Sequence, residues 1–146
     1  MTTLATAQAD STATPDYFFA RWADMATWPE WNSDTEWVRL DGPFATGSTG
    51  VLKPKGGPKV KFVIGSLTDS EFVDVSLLFG AKLTFAHAIH AAGGRTTVAV
   101  VISMTGPMAW FWRLALGKGL RSSVQRDLDA LVATVEADAV ATSDAR

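Results

Sequence analysis

Residues 71–104 read EFVDVSLLFGAKLTFAHAIHAAGGRTTVAVVISM, and the fold turns on how this stretch is divided. Three strand-length segments, Phe72–Phe79, Leu83–His90 and Thr96–Met104, are rich in Val, Ile, Phe and Thr and are separated by glycine-containing turns. Register matters because a slip of one residue moves every side chain of a strand to the other face. With Gly80-Ala81-Lys82 as the first turn, Val73, Val75, Leu77 and Phe79 share a face with Leu83, Phe85, His87 and Ile89. With Ala91-Ala92-Gly93-Gly94 as the second, His90 meets Arg95, Val98 lies beside His87, and Val98, Val100, Ile102 and Met104 join the same wall. The opposite face then collects Phe72, Asp74, Ser76, Leu78, Thr84, Ala86, Ala88 and His90. A two-residue turn at Gly80-Ala81 would instead pair Asp74 with His87 and mix apolar and polar positions on both faces. The uniform wall is the preferred reading, and His87 is its one titratable member.

Outward from the meander, the preceding segments also read as strands. Glu36–Asp41 alternates Val38 and Leu40 with Trp37 and Arg39, and Thr49–Lys53 and Val60–Ser66 form a hairpin closed by Lys55-Gly56-Gly57-Pro58. Lys53, Lys55, Lys59 and Lys61 read as the solvent face and edge protection of that sheet rather than an anion site. Leu4–Ser11 alternates more loosely as a first strand. Thr14-Pro15 then opens a helix, with Thr14 at the N-cap and Pro15 at the first helical position. Phe18, Phe19, Trp22 and Met25 follow at helical spacing, and Pro29 ends or restarts the helix.

After Thr105-Gly106-Pro107 a long amphipathic helix begins near Met108, with Leu114, Leu120, Val124, Leu128, Leu131 and Val135 on its apolar positions. Gly117 and Gly119 mark a bend, a restart or room left for a ligand. Ala137–Arg146 lacks periodicity and reads as a flexible tail, leaving residues 1–136 as one domain.

Composition bounds the function classes. The chain of 146 residues is 47% hydrophobic and 19% charged, the balance of a globular domain. A formal charge of −2 gives no electrostatic case for nucleic acid. Without cysteine there are no disulfides, thiolate metal sites or cysteine nucleophiles. Residues 1–10 lack the pattern of a signal peptide, and Met108–Leu116 is too short to span a bilayer, so a soluble cytoplasmic protein is expected. His87 and His90, three apart on a strand, point to opposite faces and cannot share a metal. No carboxylate pair is expected inside the wall, no glycine-rich phosphate loop precedes a helix, and no serine sits in a nucleophile-elbow motif.

Trp28-Pro29-Glu30-Trp31-Asn32, Leu40-Asp41-Gly42-Pro43, Gly47-Ser48-Thr49-Gly50, Lys53-Pro54-Lys55-Gly56-Gly57-Pro58, Leu83-Thr84-Phe85-Ala86-His87 and Thr105-Gly106-Pro107-Met108, in this order, resemble the polyketide cyclase/dehydratase-like branch of the START-related SRPBCC superfamily. The resemblance runs from about Leu4 to Glu136. It implies an α+β helix-grip fold, a curved antiparallel sheet of about seven strands wrapped around the long C-terminal helix, with two short helices after the first strand. It also implies a cavity between sheet and helix and activities that range from carrying hydrophobic molecules, lipids included, to cyclising or dehydrating polyketide-like substrates, usually without metal or organic cofactor.

On this reading the cavity is lined by Val73, Val75, Leu77, Phe79, Leu83, Phe85, His87, Ile89, Val98, Val100, Ile102 and Met104, with Trp28, Trp31, Trp37 and Trp110 as candidates for its rim. The expected partner is a small hydrophobic or amphipathic molecule, held by a monomer or homodimer with no stable membrane insertion. One alternative is a cofactor-free cyclase or dehydratase, a lyase or isomerase, with His87 as general acid/base. His87 can equally be a core histidine donating one N–H to an acceptor. Tyr17, Trp37, Arg39 and Trp110 are secondary candidates. A second alternative is a protein-interaction module that uses exposed tryptophans. The tryptophans Trp22, Trp28 and Trp31 have a plainer reading as bulky filling where two short helices plug a curved sheet.

Overall fold

The computed structural model describes residues 2–144. In chain order these form β1 (Thr2–Ser11), α1 (Pro15–Ala23), a 3-10 helix (Met25–Glu30), β2 (Thr35–Asp41), β3 (Thr49–Pro54), β4 (Val60–Leu67), β5 (Glu71–Leu78), β6 (Ala81–Ala92), β7 (Arg95–Thr105) and α2 (Ala109–Asp144). The strands make one antiparallel sheet in the order β1-β7-β6-β5-β4-β3-β2. Register shifts at Thr3/Ala5, Thr35/Trp37 and Ile64/Ser66 interrupt the ladders of β1, β2 and β4. Irregularities of this kind bend a strand and sharpen its twist, which curves the sheet towards the helices. The arrangement is the helix grip, with α2 over β1 and β7 and the α1/3-10 pair over the sheet beyond them.

Each helix follows from its sequence. Pro15 occupies the first turn of α1, where its missing N–H is no loss, and α1 buries Phe18 and Trp22 completely. Pro29 lies inside the 3-10 helix, whose buried residues are Met25 and Trp28. In α2 the buried positions Val124, Leu128, Leu131 and Val135 recur every three or four residues, a stripe turned to the core. The helix passes through Gly117 and Gly119 without interruption. It also continues past Glu136, so of the tail expected at Ala137–Arg146 the part through Asp144 is helical, and the last two residues lie outside the described ones. Part of that extension is tied down: Asp138 accepts two hydrogen bonds from the Arg21 guanidinium of α1, at 2.7 and 2.9 Å.

The meander requires one correction. Both turns are tighter than expected. Leu78 pairs with Ala81, leaving Phe79 and Gly80 as the turn, and Ala92 pairs with Arg95, leaving Gly93-Gly94. Gly93 and Gly94 both have left-handed backbones (φ 59° and 77°), as a type I′ hairpin needs. At β6–β7 the change is an even step, so Val98, Val100, Ile102 and Met104 keep the inner face, although His87 now stands opposite Val100 rather than Val98. At β5–β6 it is an odd step: Leu83, expected opposite Phe79, pairs with Ser76, and His87 pairs with Phe72. Strand β5 is therefore inverted. Phe72, Asp74 and Ser76 are buried, Val73 and Val75 lie half-buried on the outer face, and Leu77 and Phe79 are 44% and 80% exposed.

The cause lies outside the hairpin. Phe72 is fully buried, with ring centroids of Trp22, Phe44 and Trp28 at 5.5, 5.2 and 6.3 Å. Burying one phenylalanine among aromatics from α1, the 3-10 helix and the β2–β3 connection outweighs the half-burial that Val73 and Val75 still retain on the other face.

Close packing at β3 generates a test. Gly50 pairs with Leu40 and Phe62, and a Cβ placed there would overlap the Arg39 carbonyl oxygen and the Phe62 ring. Gly50→Ala is expected to destabilise the fold by about 2–3 kcal/mol, measured by urea denaturation. An unchanged midpoint would show that β3 does not pack this tightly.

Candidate functional site

Inversion of β5 brings two ionisable groups together on the inner face. Asp74 stands opposite Phe85 and His87 opposite Phe72, so the carboxylate and the imidazole are diagonal neighbours across β5 and β6. His87 Nδ1 lies 3.9 Å from Asp74 Oδ1 and 2.9 Å from the Phe72 carbonyl oxygen. A carbonyl only accepts, so Nδ1 carries the proton and donates to it. In the neutral ring this leaves Nε2 as the basic nitrogen. The imidazole is stacked on the Phe72 ring at 5.1 Å and 17°, and Trp22 approaches it at 5.2 Å. The sequence reading placed His87 on the inner wall, and the structure places it there, with 13% of its side chain exposed.

These surroundings disfavour charge on both groups. Burial pushes the Asp74 carboxyl up to about 7, a hydrogen bond with its own backbone opposing the shift. Burial pushes the His87 imidazole down to about 4, opposed by the bond to the Phe72 carbonyl. Near pH 6 the pair is thus a neutral carboxylic acid beside a neutral imidazole, not a salt bridge. One member can give a proton and the other can take one. Three buried polar atoms have no hydrogen-bond partner among the described residues: Asp74 Oδ1, Trp22 Nε1 and Trp31 Nε1. Such atoms cost stability, so they call for a reason.

The remaining candidates disperse. Leu83, Ile89, Val98, Val100, Ile102 and Met104 are buried on the inner face, and Phe85 is half-buried there. Val73, Val75, Leu77 and Phe79 leave the site with the inversion of β5. Trp28 and Trp31 are buried and packed on each other at 5.6 Å, as filling beneath the helices. Trp37 is half-buried under Lys59 Nζ, 5.8 Å from its ring, and Trp110 is exposed on α2. Arg39 is exposed and paired with Asp41 at 2.8 Å, while Tyr17 is half-buried on α1. Two open grooves follow β1, one lined by Thr3–Thr6 and Arg121 and the other by Thr6–Gln8, Ala99–Val101 and Gln125. Neither lining includes Asp74 or His87.

Asp74 is the residue that the sequence reading passed over, since it met His87 only in the less uniform register, with a turn at Gly80-Ala81. A signal was available in the two-residue Phe79-Gly80 turn, which aligns Asp74 with Phe85 and His87, but it required leaving the more uniformly apolar alternative. As for metal ligation, among the described residues no third His, Asp or Glu joins Asp74 and His87.

Comparison with known proteins places these features in context. Residues 2–136 match a family model described as polyketide cyclase/dehydrase and lipid transport. No curated protein matches the chain in sequence. Among solved structures, a hypothetical protein of Helicobacter pylori shares 14% identity over 90% of this chain and 86% of its own, with a TM-score of 0.71. A protein of Thermus thermophilus shares 15% identity over 92% and 97%, with a TM-score of 0.70. The di-domain ARO/CYC StfQ from the steffimycin biosynthetic pathway shares 11% identity over 93% of this chain and 52% of its own, with a TM-score of 0.69. At these identities the likeness is one of fold.

The opposed shifts of Asp74 and His87 make a signed prediction for stability against pH. A carboxyl raised in the folded state stabilises most below its unfolded value near 4, and that contribution is lost as pH rises towards about 7. An imidazole lowered in the folded state stabilises fully above its unfolded value near 6.5, and that contribution is lost as pH falls towards about 4. Between pH 4 and 6.5 the two slopes oppose each other. Relative to the parent protein, His87→Gln should lose stability as pH rises through this window, and Asp74→Asn should gain it. Urea titrations at a series of pH values read both, and parallel profiles for all three proteins would refute the assignment.

Proposed function

The chain belongs to the polyketide cyclase/dehydrase and lipid-transport family, and from that premise we propose that it binds a small hydrophobic or amphipathic molecule between the sheet and its helices, with Asp74 and His87 meeting the polar end. The observation that carries this reading is the buried acid–imidazole pair, set with an unpartnered Trp22 N–H in a mainly apolar interior. An apolar site with a few converging polar groups is how proteins hold such ligands in one orientation. A ligand carbonyl or hydroxyl would accept from the Asp74 carboxyl or the Trp22 indole, and a hydroxyl would donate to His87 Nε2. Trp22 is fully buried against Phe72 and His87, so this reading requires the aromatics of α1 to move off the sheet for a ligand to enter.

A neutral acid next to a neutral imidazole, with Asp74 Oδ1 3.9 Å from His87 Nδ1, favours a second reading, a cofactor-free dehydratase or cyclase. For a β-hydroxy ketone, His87 Nε2 would take the proton from the carbon between the two oxygenated positions. The Asp74 carboxyl would protonate the departing hydroxyl, so that water leaves and a carbon–carbon double bond forms. The released water then carries the proton from His87 Nε2 to the Asp74 carboxylate, which restores both groups. Carrier and catalyst use the same pair, and they differ in whether the ligand emerges changed.

Titration of the intrinsic tryptophan fluorescence with fatty acids and polycyclic aromatic ketones tests both readings, Trp22 being in contact with the site. Oxygenated ligands should bind, and His87→Gln or Asp74→Asn should weaken them by about 3- to 10-fold, as expected for one neutral hydrogen bond. Hydrocarbons lacking oxygen should be unaffected by either change. If no apolar compound perturbs the fluorescence, the binding reading fails. If mass analysis finds the bound β-hydroxy ketone unaltered, the catalytic one fails.

A further inference from the structure

The first three turns of α2 present an apolar surface that the fold leaves in solvent. Trp110 is 57% exposed, Phe111 43% and Leu114 76%. At 3.6 residues per turn these three fall within an arc of roughly 100° on the helix. The same arc continues to Lys118 and Arg121, with Arg113 at its flank. The β5–β6 turn adds Phe79, which is 80% exposed. That turn is fastened to the helix start, since the Phe79 carbonyl accepts from Trp112 Nε1 and the Gly80 carbonyl from the Met108 N–H, each at 2.8 Å. Phe79 and the head of α2 therefore form one end of the molecule.

The segment that carries this surface is free of carboxylates. From Val75 to Arg126 there is no Asp or Glu, whereas Lys82, Arg95, Arg113, Lys118, Arg121 and Arg126 are six cations. Arg95 and Arg126 pair with Asp10 and Asp34. Among the described residues Lys82, Arg113, Lys118 and Arg121 make no ion pair. Lys82 adjoins the Phe79-Gly80 turn and Arg113, Lys118 and Arg121 lie on the head of α2, whereas Arg95 sits in the β6–β7 turn at the other end of β6.

From this juxtaposition we propose that the head of α2 and the Phe79 turn dock the protein reversibly on an anionic lipid surface. Trp110, Phe111, Leu114 and Phe79 enter the interface, and Lys82, Arg113, Lys118 and Arg121 meet the lipid phosphates. Exposed indole, phenyl and leucine side chains bordered by unpaired cations are what an interfacial helix requires. Each cation adds attraction that salt screens. No described helix is long and apolar enough to cross a membrane. The surface is separate from the Asp74–His87 pair, so it stands or falls independently of ligand binding.

Vesicle co-sedimentation tests this on the whole chain without added ligand. Binding is expected to vesicles of phosphatidylcholine with phosphatidylglycerol, to be weak on phosphatidylcholine alone, and to fall as salt is raised. Trp110→Ser and Leu114→Ser should each reduce binding by roughly tenfold, and Lys118→Glu with Arg121→Glu should abolish the preference for anionic lipid. All four positions are exposed, and circular dichroism checks that the variants fold. Absence of binding to either vesicle, or binding unaffected by these substitutions, overturns the proposal. So does a dimer in sedimentation equilibrium that Leu114→Ser dissociates while vesicles are ignored, because the occupant would then be a second copy of the chain.

Discussion

Pairing of Phe72 with His87 across β5 and β6 governs the interior of this protein. It places a phenylalanine under Trp22, Trp28 and Phe44, and it sets the Phe72 carbonyl where it accepts the hydrogen bond from His87 Nδ1. By the alternation of the strand it also turns Asp74 inward. The gain is aromatic burial; the accompanying cost is a carboxyl removed from water with one oxygen unpartnered. Protonation lowers that cost, which is why burial raises the Asp74 carboxyl and why the acid stays neutral beside a neutral imidazole.

The two halves of α2 experience different surroundings. Its second half is held to the rest of the molecule by Leu128, Leu131 and Val135 and by polar ties. Glu136 accepts from Ser11 Oγ at 2.8 Å, Gln125 donates to the Gln8 carbonyl at 3.0 Å, and Asp138 holds Arg21. Its first half rests on the Phe79-Gly80 turn through Met108 and Trp112 and leaves its other side in solvent. One continuous helix thus joins a buried segment to an exposed one, and its buried Gly117 lies between them.

Tryptophan serves two ends here. Trp22, Trp28 and Trp31 fill the space between the short helices and the sheet, where a large ring contributes more burial than any aliphatic residue. Trp110 lies at the surface. The same residue type is structural in one place and available for contact in another, and only burial separates the cases.

Sequence alone determined the order of the elements, because hydrophobic period, proline and glycine act over a few residues. The strands Glu36–Asp41 and Val60–Ser66 and the start of α1 at Pro15 were legible to within a residue or two, as was the inner face of β7. So was the inward direction of His87. The family resemblance added the curvature and the grip. Tertiary structure decided the face of β5, since Val73, Val75 and Leu77 outscore Asp74 and Ser76 on any local count. The choice fell to Trp22, Trp28 and Phe44, which are remote in sequence from the hairpin. It likewise decided that the helix runs beyond Glu136, through the Arg21–Asp138 contact between distant segments. Pattern within a strand fixes which residues share a side, but which side is buried depends on what the rest of the chain brings against it.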